Sequence, residues 1–353
     1  MANNDARAPQ EASAQQSARP LGRRALLRLA CALPTAVLLS ACGAETPQVS
    51  TSGAGNTLMP VVVKPTAPPS PAPTASRTSQ PAPTPQPSLT PRPAPTRFAV
   101  IGDYGTASDA EAAVAALVAG WGVEFVVTVG DNNYPDGAAA TIDANVGQFY
   151  HAFIHPYRGA YGAGADRQRF FPTLGNHDWR SDGARPALEF FSMPARYYTF
   201  AWGAAQFFML DSDPNEPDGV SADSAQAAWL RAQLAASQAR WKLVAFHHPP
   251  FSSGLHGPSA WMQWPFAAWG AHAVLGGHDH TYERIERDGA LYFVNGLGGA
   301  SRYAAGESPA AGSRIFYNAS HGAMLVTLDE RGCEFQFVAI GGEVIDRRAL
   351  GGA

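Results

Sequence analysis

Five short apolar runs in this chain each lead into side chains able to ligate a metal. RFAVI runs into Gly102-Asp103, EFVVTV into Gly130-Asp131, and FFPTL into Gly175-Asn176-His177. KLVAF runs directly into His247, and AVLG into Gly277-His278-Asp279-His280. Apolar runs of this length bounded by turn residues read as buried strands. In α/β sheets the loops after the carboxyl ends of strands are where sites are built. Glycine lets the chain turn sharply there, so the next side chain can point at a shared centre. An aspartate after one strand is an ordinary turn former. Five such junctions carrying Asp, Asp, Asn, His, His and His are not explained by turns.

Around these junctions the pattern predicts strands near 98–101, 124–129, 170–174, 205–210, 241–246, 272–276, 291–294, 323–328 and 334–340. Helices are expected near 108–120, 139–154 and 222–236, the last capped by Ser221 and carrying Ala225, Ala228, Trp229, Ala232 and Leu234 as an apolar stripe. Strands alternating with helices and then a strand-rich end indicate an α/β domain. A formal net charge of −4 offers no general basic surface, which argues against nucleic acid as a binding partner.

The donor set is carboxylate, amide oxygen and imidazole. It suits borderline divalent metals and Fe³⁺ rather than a soft thiolate site. One carboxylate can bridge two cations, and a bridged pair is a recurring device for phosphoryl transfer.

The motifs GDYG (102–105), GDNNY (130–134), GNHD (175–178), VAFH (244–247) and GHDHTYER (277–284) stand in one order. In that order the chain resembles the calcineurin-like metallophosphoesterases and, within them, the purple acid phosphatases. The resemblance implies a four-layer α-β-β-α sandwich of the metallophosphoesterase type with a single catalytic domain. Many relatives outside the purple branch have Asp-x-His in the first motif. Here it reads Asp103-Tyr104-Gly105, and Tyr134 stands three residues after the second aspartate, where the purple enzymes draw a phenolate ligand. Carried over residue by residue, the resemblance implies that Asp103, Tyr134 and His280 hold Fe(III) and that Asp131 bridges. Asn176, His247 and His278 would hold a divalent ion, Fe, Zn or Mn. It further implies catalytic roles for His177 and His256 in contacting phosphate or protonating the leaving oxygen.

The other histidines receive ordinary readings. His248 is expected to point away from its neighbour along an extended chain. His151, His155, His272 and His321 match no motif. Arg284 is expected to be a structural ion-pair partner, and Asp178 to orient His177 or a ligand. Trp261, Trp264 and Trp269 divide between core packing and an apolar rim beside the substrate.

The N-terminus adds an address. Arg23 and Arg24 precede an apolar run from Ala25 to Ser40, which has the layout of a signal peptide of the twin-arginine type. The run closes in LSAC, which resembles a bacterial lipobox, with Cys42 the acylated residue anchoring the chain to a membrane. Residues 1–41 are thus expected to be a signal peptide. Residues 42–96 are expected to be a Pro-rich disordered spacer, with 13 prolines in 60–96, and residues 97–350 the metallophosphoesterase catalytic domain. A polyproline II spacer rising ~3.1 Å per residue reaches on the order of 100 Å. Cys333 is the only cysteine in the expected domain, so no disulfide staples it.

The function implied by the resemblance is hydrolysis of phosphate monoesters of small phosphorylated substrates, with a metal-activated hydroxide as nucleophile. The protein would be an exported lipoprotein on the outer face of a bacterial membrane. A phosphodiesterase or nucleotide hydrolase on the same dinuclear site is the alternative. A non-catalytic ligand-binding envelope lipoprotein is the rival from another class. Oligomeric state has no signature in the sequence.

Overall fold

The computed structural model describes residues 94–351. The expected signal peptide, the lipobox at Cys42 and the spacer as far as residue 93 lie outside them. Thr96, assigned to the spacer by sequence, is the first residue of strand β1 and pairs with Leu328.

Among the described residues the strands are β1 (Thr96–Ile101), β2 (Phe125–Thr128), β3 (Phe170–Phe171), β4 (Tyr198–Trp202), β5 (Ala205–Met209), β6 (Trp241–Ala245) and β7 (Ala273–Gly276). They continue with β8 (Tyr282–Arg287), β9 (Ala290–Asn295), β10 (Ser313–Tyr317), β11 (Gly322–Leu328), β12 (Cys333–Ala339) and β13 (Val344–Leu350). They form a six-stranded sheet of order β13-β12-β11-β1-β2-β3 and a seven-stranded sheet of order β10-β8-β9-β7-β6-β5-β4. β1, β2 and β3 run parallel, as do β5, β6, β7 and β9. The metal-competent loops therefore leave the same ends of parallel strands.

Period-two alternation explains the layers. Phe98 and Val100 of β1 face the second sheet and pack with Phe125, Phe207, Leu243, Leu275 and Phe293. Ala99 and Ile101 face the other way, onto a cluster containing Val114 and Val118 of helix α1 (Asp109–Gly120) together with Ile142 and Tyr150. On the far side of the second sheet, Phe208, Val244 and Val274 pack against Leu230 and Leu234 of a later helix, Ala225–Ala236. Two sheets face to face, with helices on both outer surfaces, give the four-layer α/β sandwich of one domain.

Two expectations need correction. The helix Ala225–Ala236 is capped by Ser224, whose hydroxyl accepts from the Ala227 amide at 3.1 Å, and not by Ser221. The stretch expected as one helix over 139–154 is four helical pieces: Ala139–Ile142, a wide π turn Asp143–Gly147, Gln148–Tyr150 and a tight turn His151–Phe153. Ile142, Val146 and Tyr150, spaced four residues apart, all reach the core.

Candidate metal centre

Asp103 and Asp131 follow β1 and β2 of the first sheet, and Asn176 follows β3. His247, His278 and His280 follow β6 and β7 of the second. The two sheets thus deliver their loops to one seam. Asp103, Asp131 and His278 hold φ of 54°, 48° and 69°, a left-handed conformation that side chains rarely adopt. Strain of this kind persists where the surroundings over-determine it, commonly at functional sites. Glycine permits the close approach: a Cβ on Gly175 would meet Asp131 Oδ1 at 2.2 Å, and Gly130, at φ 87°, lies against the His247 ring.

The Tyr134 hydroxyl is 3.0 Å from Asp131 Oδ2, 3.4 Å from Asp103 Oδ1 and 3.0 Å from His280 Nε2. His280 Nδ1 bonds to the Ser301 carbonyl, and His280 Nε2 lies 3.4 Å from Asp103 Oδ1. His247 Nδ1 bonds to the Val129 carbonyl at 2.9 Å. Its Nε2 then faces Asn176 Oδ1 at 3.1 Å, His278 Nδ1 at 3.3 Å and Asp131 Oδ2 at 3.4 Å. A carbonyl can only accept, so Nδ1 of both rings carries the hydrogen. In the neutral imidazole Nε2 then presents a lone pair. All seven residues expected as ligands are brought together, and Asp131 lies between the two subsets.

This is a donor set facing inward on itself. Lone pairs of two imidazoles, two buried carboxylates, an amide oxygen and a phenol oxygen converge. Among the described residues the ion-pair partners of Asp103 and Asp131 are histidines alone. Burial opposes charge on His247, but Asp131, Asp103 and the Val129 carbonyl together outweigh it and drive the imidazole up to about 10. Burial raises Asp131 too, yet His247 and His177 hold it below the carboxylate range. Burial, then Asp131 and Asp103, push the Tyr134 phenol above its ordinary value. A phenolate there requires added positive charge. The residues fit cations: hard oxygen and imidazole donors, with His247 and His280 each oriented by a backbone carbonyl. The oxygen and nitrogen donors of Asp103, Asp131 and His247 lie within 4.8 Å of one another, and so do those of His247, His248 and His278.

His248 thus departs from the expectation. The chain bends at His247 and His248 instead of continuing extended, so the His248 ring lies 4.5 Å from that of His278. Its Nδ1 is 2.9 Å from Ser212 Oγ. His177 presents its ring 4.3 Å from Tyr134 and its Nε2 3.9 Å from Asp131 Oδ2, while its amide donates to Asp131 Oδ1. His256 is exposed and stacks on His278 at 4.4 Å. Asp178 does not orient the His177 ring. It accepts from the Gly175 amide and from the Asn132 backbone and side-chain amides, tying the two ligand loops together. Arg284 pairs with Asp346 and Glu286, away from the centre. A groove of about 630 Å³ beside Ile142, Asp143, Arg158, Leu188 and Phe190 holds none of the seven expected ligands.

Three contributors stand outside the expected site residues. Tyr303 stacks on His280 at 3.9 Å. Asp279, fully buried between two expected ligands, accepts from the Ser252 hydroxyl at 2.5 Å and from the His256 amide at 2.8 Å, holding the His256 loop. Arg180 Nη1 lies 3.0 Å from both the Pro135 carbonyl and His177 Nδ1.

Residues 96–282 match the calcineurin-like phosphoesterase family, a span that begins at β1 and ends just past His280. The chain belongs to that family. This phosphoesterase is a hydrolase of phosphoester bonds. It is 24% identical over 287 residues to purple acid phosphatase 7 of Arabidopsis thaliana, covering 72% of this chain and 85% of the plant protein. It is 29% identical over 245 residues to tartrate-resistant acid phosphatase type 5 of Rattus norvegicus, covering 57% of this chain and 72% of the rat protein. Purple acid phosphatase PPD1 from yellow lupin shares the fold, with a TM-score of 0.60 at 16% identity. That overlap covers 74% of this chain and 54% of the lupin chain.

Proposed function

We propose that this phosphoesterase hydrolyses phosphate monoesters at a dinuclear centre pairing Fe(III) with a divalent Fe, Zn or Mn ion. The observation that carries the reading is the hydroxyl of the half-buried Tyr134, within 3.4 Å of Asp103, Asp131 and His280. A phenolate is a hard, charged oxygen donor and suits Fe(III). Asp103, Tyr134 and His280 would hold the ferric ion, with Asp131 between the ions. Asn176, His247 and His278 would hold the divalent ion. When bound, such a pair supplies Lewis acidity and a water of lowered pKa as nucleophile.

The chain's own groups do the rest. The Val129 and Ser301 carbonyls hold His247 and His280 with Nε2 inward. His177 and His256 stand at the edge of the cluster, and one or the other would donate the proton to the leaving oxygen. The Asp279 carboxylate sets the position of the His256 loop. We further propose that the protein is exported through Arg23-Arg24 and anchored by lipid on Cys42, with residues 42–95 as the spacer.

The test is the visible spectrum of the purified protein beside its metal content. A broad visible band with about two metals per chain, lost in Tyr134→Phe, is expected from a tyrosinate-iron pair. A colourless protein holding two metals would replace iron by Zn or Mn and keep the phosphoesterase. Turnover of diesters but not monoesters would favour the phosphodiesterase alternative.

A further inference from the structure

The aromatic rings around the metal centre form an unbroken run. Ring centroids are 5.5 Å apart for Trp261 and His248, 4.5 Å for His248 and His278, and 4.4 Å for His278 and His256. The run passes on through Tyr303, 5.3 Å from His256 and 3.9 Å from His280, to Tyr134 and His177. Its two ends differ. The His177 end carries the exposed cation Arg180. The other end carries Trp261, 39% exposed, and Leu255 beside His256, 61% exposed. Only five large apolar side chains are exposed among the described residues; the Trp261 ring lies near that of His248, and Leu255 directly precedes His256 in the chain.

Trp261 is held in place. Its indole N–H donates to the Ser212 carbonyl at 3.0 Å, and its own carbonyl accepts from the Trp264 indole at 2.9 Å. With its single polar atom already satisfied, the exposed part of the ring offers only apolar surface. Trp264, by contrast, is buried in the outer core of the second sheet, and Trp269 packs against that core.

We propose that Trp261, with Leu255, is a specificity-determining surface that receives the alcohol part of the substrate and favours esters of aromatic or long aliphatic alcohols. It is continuous with the metal centre, where the phosphate sits. A ring or chain attached to that phosphate can lie along the His256 and His278 rings and reach the indole face. A small polar alcohol leaves that face in water. This inference rests on the monoesterase reading above.

The test measures inhibition of the full-length, metal-loaded protein by benzylphosphonate and methylphosphonate, which share a head group and undergo no turnover. The wild type is expected to bind benzylphosphonate about tenfold more tightly, the low end of what apolar contacts to a substrate side group deliver. Trp261→Ala should bring that preference below about twofold and leave methylphosphonate inhibition unchanged, while Trp261→Phe should keep it. Leu255→Ser, at an exposed position, should reduce the preference by a smaller factor and gives a reading if Trp261→Ala does not fold. Methylphosphonate binding with an undiminished benzyl preference in Trp261→Ala, or with none in the wild type, overturns the inference and leaves the monoesterase reading intact. Failure of both phosphonates to bind overturns the two together.

Discussion

His177 and Asn176 are sequence neighbours that turn to different tasks. Asn176 Oδ1 faces His247, whereas the His177 ring lies beside Tyr134 and its Nε2 stays 3.9 Å from Asp131 Oδ2. The short helix Asn176–Trp179 separates the two side chains by one helical step of about 100°. His177→Ala should therefore keep the metals and lower turnover by roughly 10²–10⁴, the loss typical of a positioned acid. Metal analysis beside kcat checks this, and normal turnover would remove His177 from the mechanism. At the same scale, Tyr134→Phe deletes one oxygen at the meeting point of three donors. Loss of the visible band in that variant is the expected outcome, read from its absorption spectrum.

At the scale of elements, the start of α1 shows how a local motif serves the site. Ser108 caps the helix by accepting from the Glu111 amide, and Glu111 Oε2 accepts from the Thr106 and Ala107 amides at 2.8 Å. That folds the chain back immediately after Asp103. The cost is a buried carboxylate: burial, resisted only in part by those amides, raises Glu111 to about 8. The folded protein then binds a proton that the unfolded chain releases near pH 4.5, so stability falls as pH rises from about 4.5 to 8. Glu111→Gln should flatten the stability-pH curve across that window, as followed by thermal melts. An unchanged slope would show that Glu111 is ionised in the fold.

Element prediction succeeded where a strand is buried on both faces. β1, β2, β6 and β7 read as continuous apolar runs because both surfaces are covered. β4, β8, β10 and β13 went unread. β13, VIDRRAL, is the edge of its sheet and is largely exposed, so it carries no apolar alternation. β8 is half of a hairpin whose partner, β9, was the readable strand.

For the whole molecule, the metal centre lies where loops of the two sheets meet, and cations held there would cross-link them. Strong chelation should lower the melting temperature by roughly 5–10 °C, taking ~2.7 kcal/mol for a site occupied at a hundredfold excess over Kd. Asp131→Ala, which removes the carboxylate between the two subsets, should melt at the chelated temperature and be insensitive to chelator. A chelator-insensitive wild type would mean that the loops close without metal.

The chain order of apolar runs, glycines and donors determined the α/β class and six of the seven converging residues, and the resemblance of GDNNY to the purple enzymes added Tyr134. Strand ends and ligand chemistry are local properties, so a linear pattern can carry them. The bend that brings His248 against His278, the stacking of Tyr303 on His280 and the hold of Asp279 on the His256 loop were decided by tertiary structure alone. Each depends on how loops from separate strands pack around one point, and no local pattern encodes that distance. The exposure of Trp261, set against the burial of Trp264, is of the same kind. Both tryptophans sit in one stretch of similar composition, and only the covering of the second sheet separates core from rim.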